Sequence, residues 1–277
     1  MLLRLRVGLP DRPGSLGQVA RTLGVAGADI VQVVVLERVG GRAVDDFTVI
    51  WPTSTPLDRM LSGLRAISGV LVDGVWRCTE LPDPGGRDAA LLGQVAANPE
   101  YGLATLVDGV PGMFGADWAV AAAVDPQWAA GPVSSGLLVV HASWGAPAVP
   151  EIPEIAPLRP RAMTGVDRTH LAVAPFQRAG LVLVAARGGA ATGDPVAEGS
   201  MLFAPQFHRS EVERLAQLVG ATAAVLGDQL DGLVPSARGA RGNAGCGEWA
   251  GGLAPPAHNL RELLGGGDDA MAVAGHR

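Results

Sequence analysis

Apolar and polar residues alternate through the first strand-like run, "LLRLRVGL". Leu3, Leu5, Val7 and Leu9 fall on one side and Arg4 and Arg6 on the other, the period of a half-buried strand over residues 2–9. The period then changes. Leu16, Val19, Ala20 and Leu23 recur at helical spacing, which predicts a helix over 15–25 closed by Gly27. Val and Ile crowd residues 28–39, a second strand, and Gly40-Gly41 supplies a two-residue hairpin turn. Residues 42–51 alternate again, with Ala43, Phe47, Val49 and Trp51 on one face and Asp46 and Thr48 on the other. Pro52 and Pro56 interrupt the chain before a helical stripe of Leu57, Met60, Leu61, Leu64 and Ile67, and residues 70–76 read as a fourth strand. The order β-α-β-β-α-β in under 80 residues is that of a ferredoxin-like α+β unit. Its two helices cover one face of the sheet. The other face, with Val31, Val33 and Val35 added to Ile30, Val34 and Leu36, needs a cover from a second subunit or from the rest of the chain.

Residues 78–88, "CTELPDPGGRD", have the Pro, Gly and charge content of a linker. A second domain is expected over 89–230. Helices fall at 88–97 and 100–114, strands at 117–124, 136–143, 169–176 and 180–187, and a proline-studded stretch at 146–162. The longest helical pattern covers 209–230, where Ser210 followed by Glu213 reads as a capping box. Residues 231–277 hold eleven glycines and little apolar surface, the composition of a disordered tail.

The chemistry turns on "LPDRPGSLGQVA" at residues 9–20. Gly8 and Gly14 are one residue too far apart for a P-loop, Ser15-Leu16 replaces the Lys-Ser/Thr pair, and the dinucleotide Gly pattern is missing. What remains is a helix start with free N–H groups at Ser15, Leu16 and Gly17, approachable at Gly14, with Asp11 on the rim and Asp29 opening the next strand. Backbone donors facing a carboxylate, beside carboxylates facing an ammonium, suit a free amino acid. The structural alternative is a plain Pro13-Gly14 turn with Asp11 as a helix cap.

The segment "LPDRPGSLGQVARTLGVAGADI" resembles the opening of an ACT domain, an amino-acid-binding regulatory module, and the resemblance extends over residues 3–77. Asp11-Arg12-Pro13-Gly14, then Leu16, stand for the Asn/Asp-x-Pro-Gly turn; Gly27-Ala28-Asp29-Ile30 stand for Gly-x-Asn-Ile. The resemblance implies a homodimer with an amino-acid effector at the joint, contacted by Asp11, Pro13, Gly14, Ser15, Leu16, Asp29 and Ile30. Asp29 departs from the family's usual Asn, and its charge favours a ligand with spare positive charge. Residues 169–187 and the helix from Phe207 to Val219 more loosely resemble a GAF domain, a small-molecule-sensing antiparallel sheet flanked by helices.

Composition narrows the rest. All 21 basic residues are arginine, so Schiff-base, P-loop and kinase-type lysines are excluded. A net charge of −6 argues against a nucleic-acid partner. Only two cysteines, Cys78 and Cys246, point to a reduced, cytoplasmic protein. The opening "MLLRLRVGLP" carries two arginines and does not read as a signal peptide, and no apolar run is long enough for a membrane span. The five histidines lack metal spacing, and Asp45-Asp46, adjacent in a strand, must face opposite ways. A non-enzymatic sensor without cofactor or metal is therefore expected: an amino-acid-binding ACT dimer coupled allosterically to a GAF-like module. The competing reading is a dimerisation and interaction module that binds no ligand and takes a protein partner through the second domain or the tail.

Overall fold

A computed structural model describes residues 1–78, 80, 86–124, 137–155, 157–165, 168–178, 180–188 and 202–233. The chain divides into two units, residues 1–235 and 236–277; the expected tail, 231–277, starts inside a 3-10 turn, Gly227–Leu233, and beyond it lies outside the described residues.

The first sheet contains β1 (Leu2–Pro10), β2 (Asp29–Val39), β3 (Arg42–Ile50) and β4 (Leu71–Arg77) in the order β2-β3-β1-β4, every pairing antiparallel. Helices α1 (Ser15–Val25) and α2 (Leu57–Arg65) lie on one face. The alternation in β1 places Leu3, Leu5, Val7 and Leu9 against Val19 and Leu23 of α1 and Met60, Leu61 and Leu64 of α2. Each such side chain contributes about 1.5–3 kcal/mol on burial. The hairpin between β2 and β3 turns on Gly40 and Gly41, both at positive φ, as a two-residue turn with the twist of the flanking strands requires.

The second sheet joins β5 (Trp118–Val124), β6 (Leu137–Ala142), β7 (Arg161–Thr164), β8 (His170–Pro175) and β9 (Leu181–Arg187) in the order β6-β5-β9-β8-β7, again antiparallel. Helices α3 (Arg87–Ala97), α4 (Gly102–Phe114) and α5 (Arg209–Leu226) pack on one face. Ile152 and Ile155, from the proline-studded stretch, cover the other. That stretch also yields β7, an edge strand paired with β8 from Arg161 to Thr164, which the proline count had hidden. The fold is thus α+β with two antiparallel sheets.

The cap of α5 corrects the sequence expectation. His208, not Ser210, is the N-cap: its ring accepts from the Ser210 N–H, and Glu211, not Glu213, accepts from the His208 N–H. Glu211 is drawn inward by two buried arginines, and this fixes where the helix begins.

The helix-free face of the first sheet meets the rest of the chain at Arg6 and Asp46, which join Glu211 of α5, while Val34 on that face stays exposed. Val75 and Phe203 exchange backbone hydrogen bonds of 2.8 and 2.7 Å, so a strap from the second half runs along the edge of β4. Gly74 permits this approach, since a Cβ there would lie 2.5 Å from Pro205. At the opposite edge Val31, Val33, Val34, Val35 and Val39 of β2 stay exposed.

Candidate functional site

At the start of α1, Gly14 sits at φ +91 and caps the helix without any side-chain bond. Asp11 is therefore not the cap. Its backbone N–H donates to Gly41 O, and its carboxylate lies 3.5 Å from the Arg38 guanidinium, on the hairpin. Ser15 is buried and its N–H donates to Arg12 O at 3.3 Å, so the backbone donors left at the helix start are those of Leu16 and Gly17. Pro13, Gly14 and Leu16 are exposed, and a Cβ at Gly14 or Gly17 would meet nothing within 4 Å. The turn is open to a ligand.

Asp29 stands elsewhere. It pairs across from Ile50, which in turn faces Leu2, at the far end of the sheet from Asp11. At ~3.3 Å per residue the two ends are roughly 30 Å apart. Asp29 is exposed there and Ile30 packs against the first core. Within one chain, the seven residues do not form a single site.

A different carboxylate shares the end of the sheet that carries Asp11. Asp45 lies opposite Val7 and Val35, in the same alternating set as Ala43 and Phe47, and so faces the helices. It is 3% exposed, and its Oδ1 has no donor among the described residues. Burial pushes its carboxyl above the usual range; Arg38 pulls it back, while the charges of Asp46 and Asp11 push it further up. A buried carboxylate without a donor is costly unless a cation completes it.

Asp46, one residue on, faces the other way, as strand alternation requires. It takes two hydrogen bonds of 2.8 Å from Arg6. Arg6 also reaches Glu211 at 2.8 Å, and Glu211 accepts from Arg187 at 2.8 and 3.0 Å. The fully buried Arg187 further donates to the carbonyls of Pro205 and Gln206 and stacks 3.9 Å from the Phe207 ring centroid. Burial alone would push Glu211 up, but Arg187, Arg6 and the His208 N–H outweigh it and hold the carboxyl at about 2. For Arg187 burial wins over Glu211 and the guanidinium falls below its ordinary value. This quartet joins β1 and β3 to β9 and α5. Neither Arg6, at the polar face of an alternating strand, nor Arg187, ending an apolar strand, announces the pairing in sequence.

Beside the quartet lies a cavity of about 280 Å³ between the open face of the first sheet and helices α3, α4 and α5. Its charged lining includes Arg4, Glu80, Arg87, Asp88 and Arg214. Arg87 pairs with Glu80 at 2.6 Å, and Arg214 grips Asp88 at 2.6 and 2.9 Å. His141, Nε2 3.2 Å from Asp108, is half-buried, and no His/Cys/Asp/Glu cluster fit for a metal occurs among the described residues. No described helix is long and apolar enough to cross a membrane.

No protein-family model matches the chain, and none of the curated proteins matches its sequence. Among solved structures, a formyltetrahydrofolate deformylase from Pseudomonas putida KT2440 shows a partial likeness, with 15% identity and a TM-score of 0.23. The match covers 37% of this chain and 39% of that one, so the chain spans about two fifths of that protein's length.

Proposed function

We propose that this chain is a non-enzymatic regulatory protein that binds a free amino acid at the start of α1 and passes the event to its second module. The observation that carries this reading is Asp45, buried, without a donor on Oδ1, in the field of Asp11 at the open turn. An effector's carboxylate would take the N–H groups of Leu16 and Gly17, and its ammonium would take Asp45 and Asp11. Asp45 thus fills, within one chain, the part first expected of Asp29. Asp29 and Ile30 reach such a site only from a second copy. Antiparallel pairing of two exposed β2 edges would set the Asp29 end of one against the Arg38 end of the other.

The route to the second module is short. Asp45 and Asp46 are successive residues on opposite faces of β3, and Asp46 holds Arg6 in the quartet with Glu211. A ligand that repositions Asp45 acts one peptide from the link between the modules, which suits a population shift between two packings. The five-stranded antiparallel sheet with its helices supports a GAF-like reading of that second module.

Calorimetry of the purified full chain against each of the twenty amino acids tests the proposal. Saturable heat with one or a few of them, lost in Asp11→Ala and Asp45→Ala variants that still melt cooperatively, is expected. Twenty flat traces end it. The exposed β2 edge favours a second reading, a dimerisation module without ligand; a ligand-independent dimer together with flat traces would select it.

A further inference from the structure

We infer that Gln32, Thr48 and Arg4, a row of side chains across the helix-free face of the first sheet, form a second ligand site, for a small 2-oxo or 2-hydroxy monocarboxylate. Thr48 on β3 is the direct cross-strand partner of Gln32 on β2 and of Arg4 on β1, and all three line the cavity between the modules. Side chains paired in this way stand about 4.5–5.5 Å apart at their Cβ atoms. The sheet is the floor of the cavity, and its roof is the start of α3, the last turn of α4 and the start of α5. Trp76, next in the row on β4, takes no part: its indole N–H is closed off and packs against Gly115.

The polar ends of the row are unmet. Thr48 is 2% exposed, yet its hydroxyl makes no hydrogen bond among the described residues and stays open to the cavity. Gln32, half-buried, uses neither end of its amide among the described residues. Arg4 stacks 5.9 Å from the centroid of Trp76 and has no carboxylate within ion-pair distance among the described residues. A guanidinium only donates, whereas a hydroxyl and an amide donate and accept. What completes the row brings a negative end for Arg4 and a neutral oxygen for its neighbours.

Charge narrows the class. Arg87 has Glu80, Arg214 has Asp88, and Asp46 and Glu211 share Arg6 and Arg187, which leaves Arg4 as the surplus. One surplus positive charge suits a monoanion and disfavours a dianion such as phosphate. The start of α3, where Gly86 caps the helix without a side-chain bond, adds to that preference. Each carboxylate around the cavity is held by an arginine, so the ammonium of an amino acid finds no partner here. Val34, Leu36, Met113 and Phe114 supply an apolar wall, and the volume sits at the small end of ligand pockets. A short 2-oxo or 2-hydroxy acid meets all of this: carboxylate on Arg4, the oxygen of the next carbon on Thr48 or Gln32, alkyl group on the wall. An acid without that oxygen displaces water and leaves the Thr48 and Gln32 groups unmet. This site stands independently of Asp11 and Asp45.

Calorimetric titration of the full chain with 2-oxoisovalerate, 2-hydroxyisovalerate, isovalerate and inorganic phosphate, at constant ionic strength, tests the site. Saturable binding of the oxo acid, the hydroxy acid or both is expected, with isovalerate roughly tenfold or more weaker. Arg4→Gln should weaken the binding by a similar factor. Thr48→Val keeps the shape and removes a hydroxyl that has no protein partner. It should melt at or above the parent temperature while binding roughly tenfold or more weaker, a combination that a merely structural hydroxyl would not give. No saturable binding of either oxygenated acid, isovalerate binding as tightly, binding of phosphate alone, or parent affinity in Thr48→Val would each overturn the inference. Asp11→Ala should leave the titration unchanged; loss of binding there would place the acid at the α1 turn and overturn it too.

Discussion

Replacing Glu211 by Gln probes the junction most directly. The carboxylate accepts four hydrogen bonds: one from Arg6, two from Arg187 and one from the His208 N–H. Gln keeps the shape but removes the charge. Arg6 retains Asp46, whereas Arg187, fully buried, loses the one carboxylate it contacts among the described residues. Removing one partner of a buried pair costs roughly 3–5 kcal/mol, because the remaining charge has no compensation. The acid side agrees. A carboxyl held at about 2 instead of 4.5 corresponds to about 3 kcal/mol. Because the folded value is depressed, that stability is fully present above pH ~4.5 and fades as pH falls toward ~2. For a unit of this size the loss translates into a drop in Tm of roughly 6–20 °C. Thermal and urea unfolding, followed by circular dichroism at pH 7 and across pH 2–5, measures both effects. Glu211→Gln should melt lower at pH 7 and lose part of the acid dependence of the parent. Replacing Arg187 and Glu211 together by Met and Leu should recover much of the loss. A Gln variant within about 0.5 kcal/mol of the parent, with an unchanged acid profile, would refute the reasoning.

Asp45→Asn should stabilise the ligand-free protein at neutral pH by on the order of 1 kcal/mol while abolishing amino-acid binding. Because burial raises the Asp45 carboxyl, its contribution is greatest at low pH and is lost as pH rises through the folded value, so urea titrations at several pH values should show a flatter dependence in the variant. Gly74→Ala should force Pro205 off the edge of β4, costing about 1–3 kcal/mol, and native-state hydrogen exchange should show faster loss of the Val75 and Phe203 amides. Val35→Lys, on the exposed β2 edge, should leave the melting curve within about 0.5 kcal/mol of the parent. In sedimentation velocity the same change should convert any β2-paired dimer to monomer, since an edge lysine opposes strand pairing.

Local patterns carried the elements. The change from period two to period 3.6 near Ser15 marks the start of α1, which runs from Ser15 to Val25 as the spacing predicts. Gly40-Gly41 allows few backbones other than the observed hairpin. The same alternation sends Asp45 and Asp46 to opposite faces, which rightly denied them a shared substrate yet gave no hint that each meets a different environment. Where tertiary forces outweighed local ones, the reading shifted: the α5 cap moved from Ser210 to His208 because Glu211 pairs inward.

The sequence by itself determined the helices, every strand but β7, the β-α-β-β-α-β order and the open turn before α1, because periodicity, glycine and proline act over a few residues. Only the tertiary structure decided that Asp29 lies far from Asp11, that Asp45 is buried in the field of Asp11, and that the second half meets the first sheet through Arg6 and the β4 edge. Arg6 and Glu211 are 205 residues apart in the chain. Their pairing depends on how two sheets meet, and no local pattern encodes that distance. The same holds for Arg4 and Trp76, which pack against Gly115 only once α4 has docked.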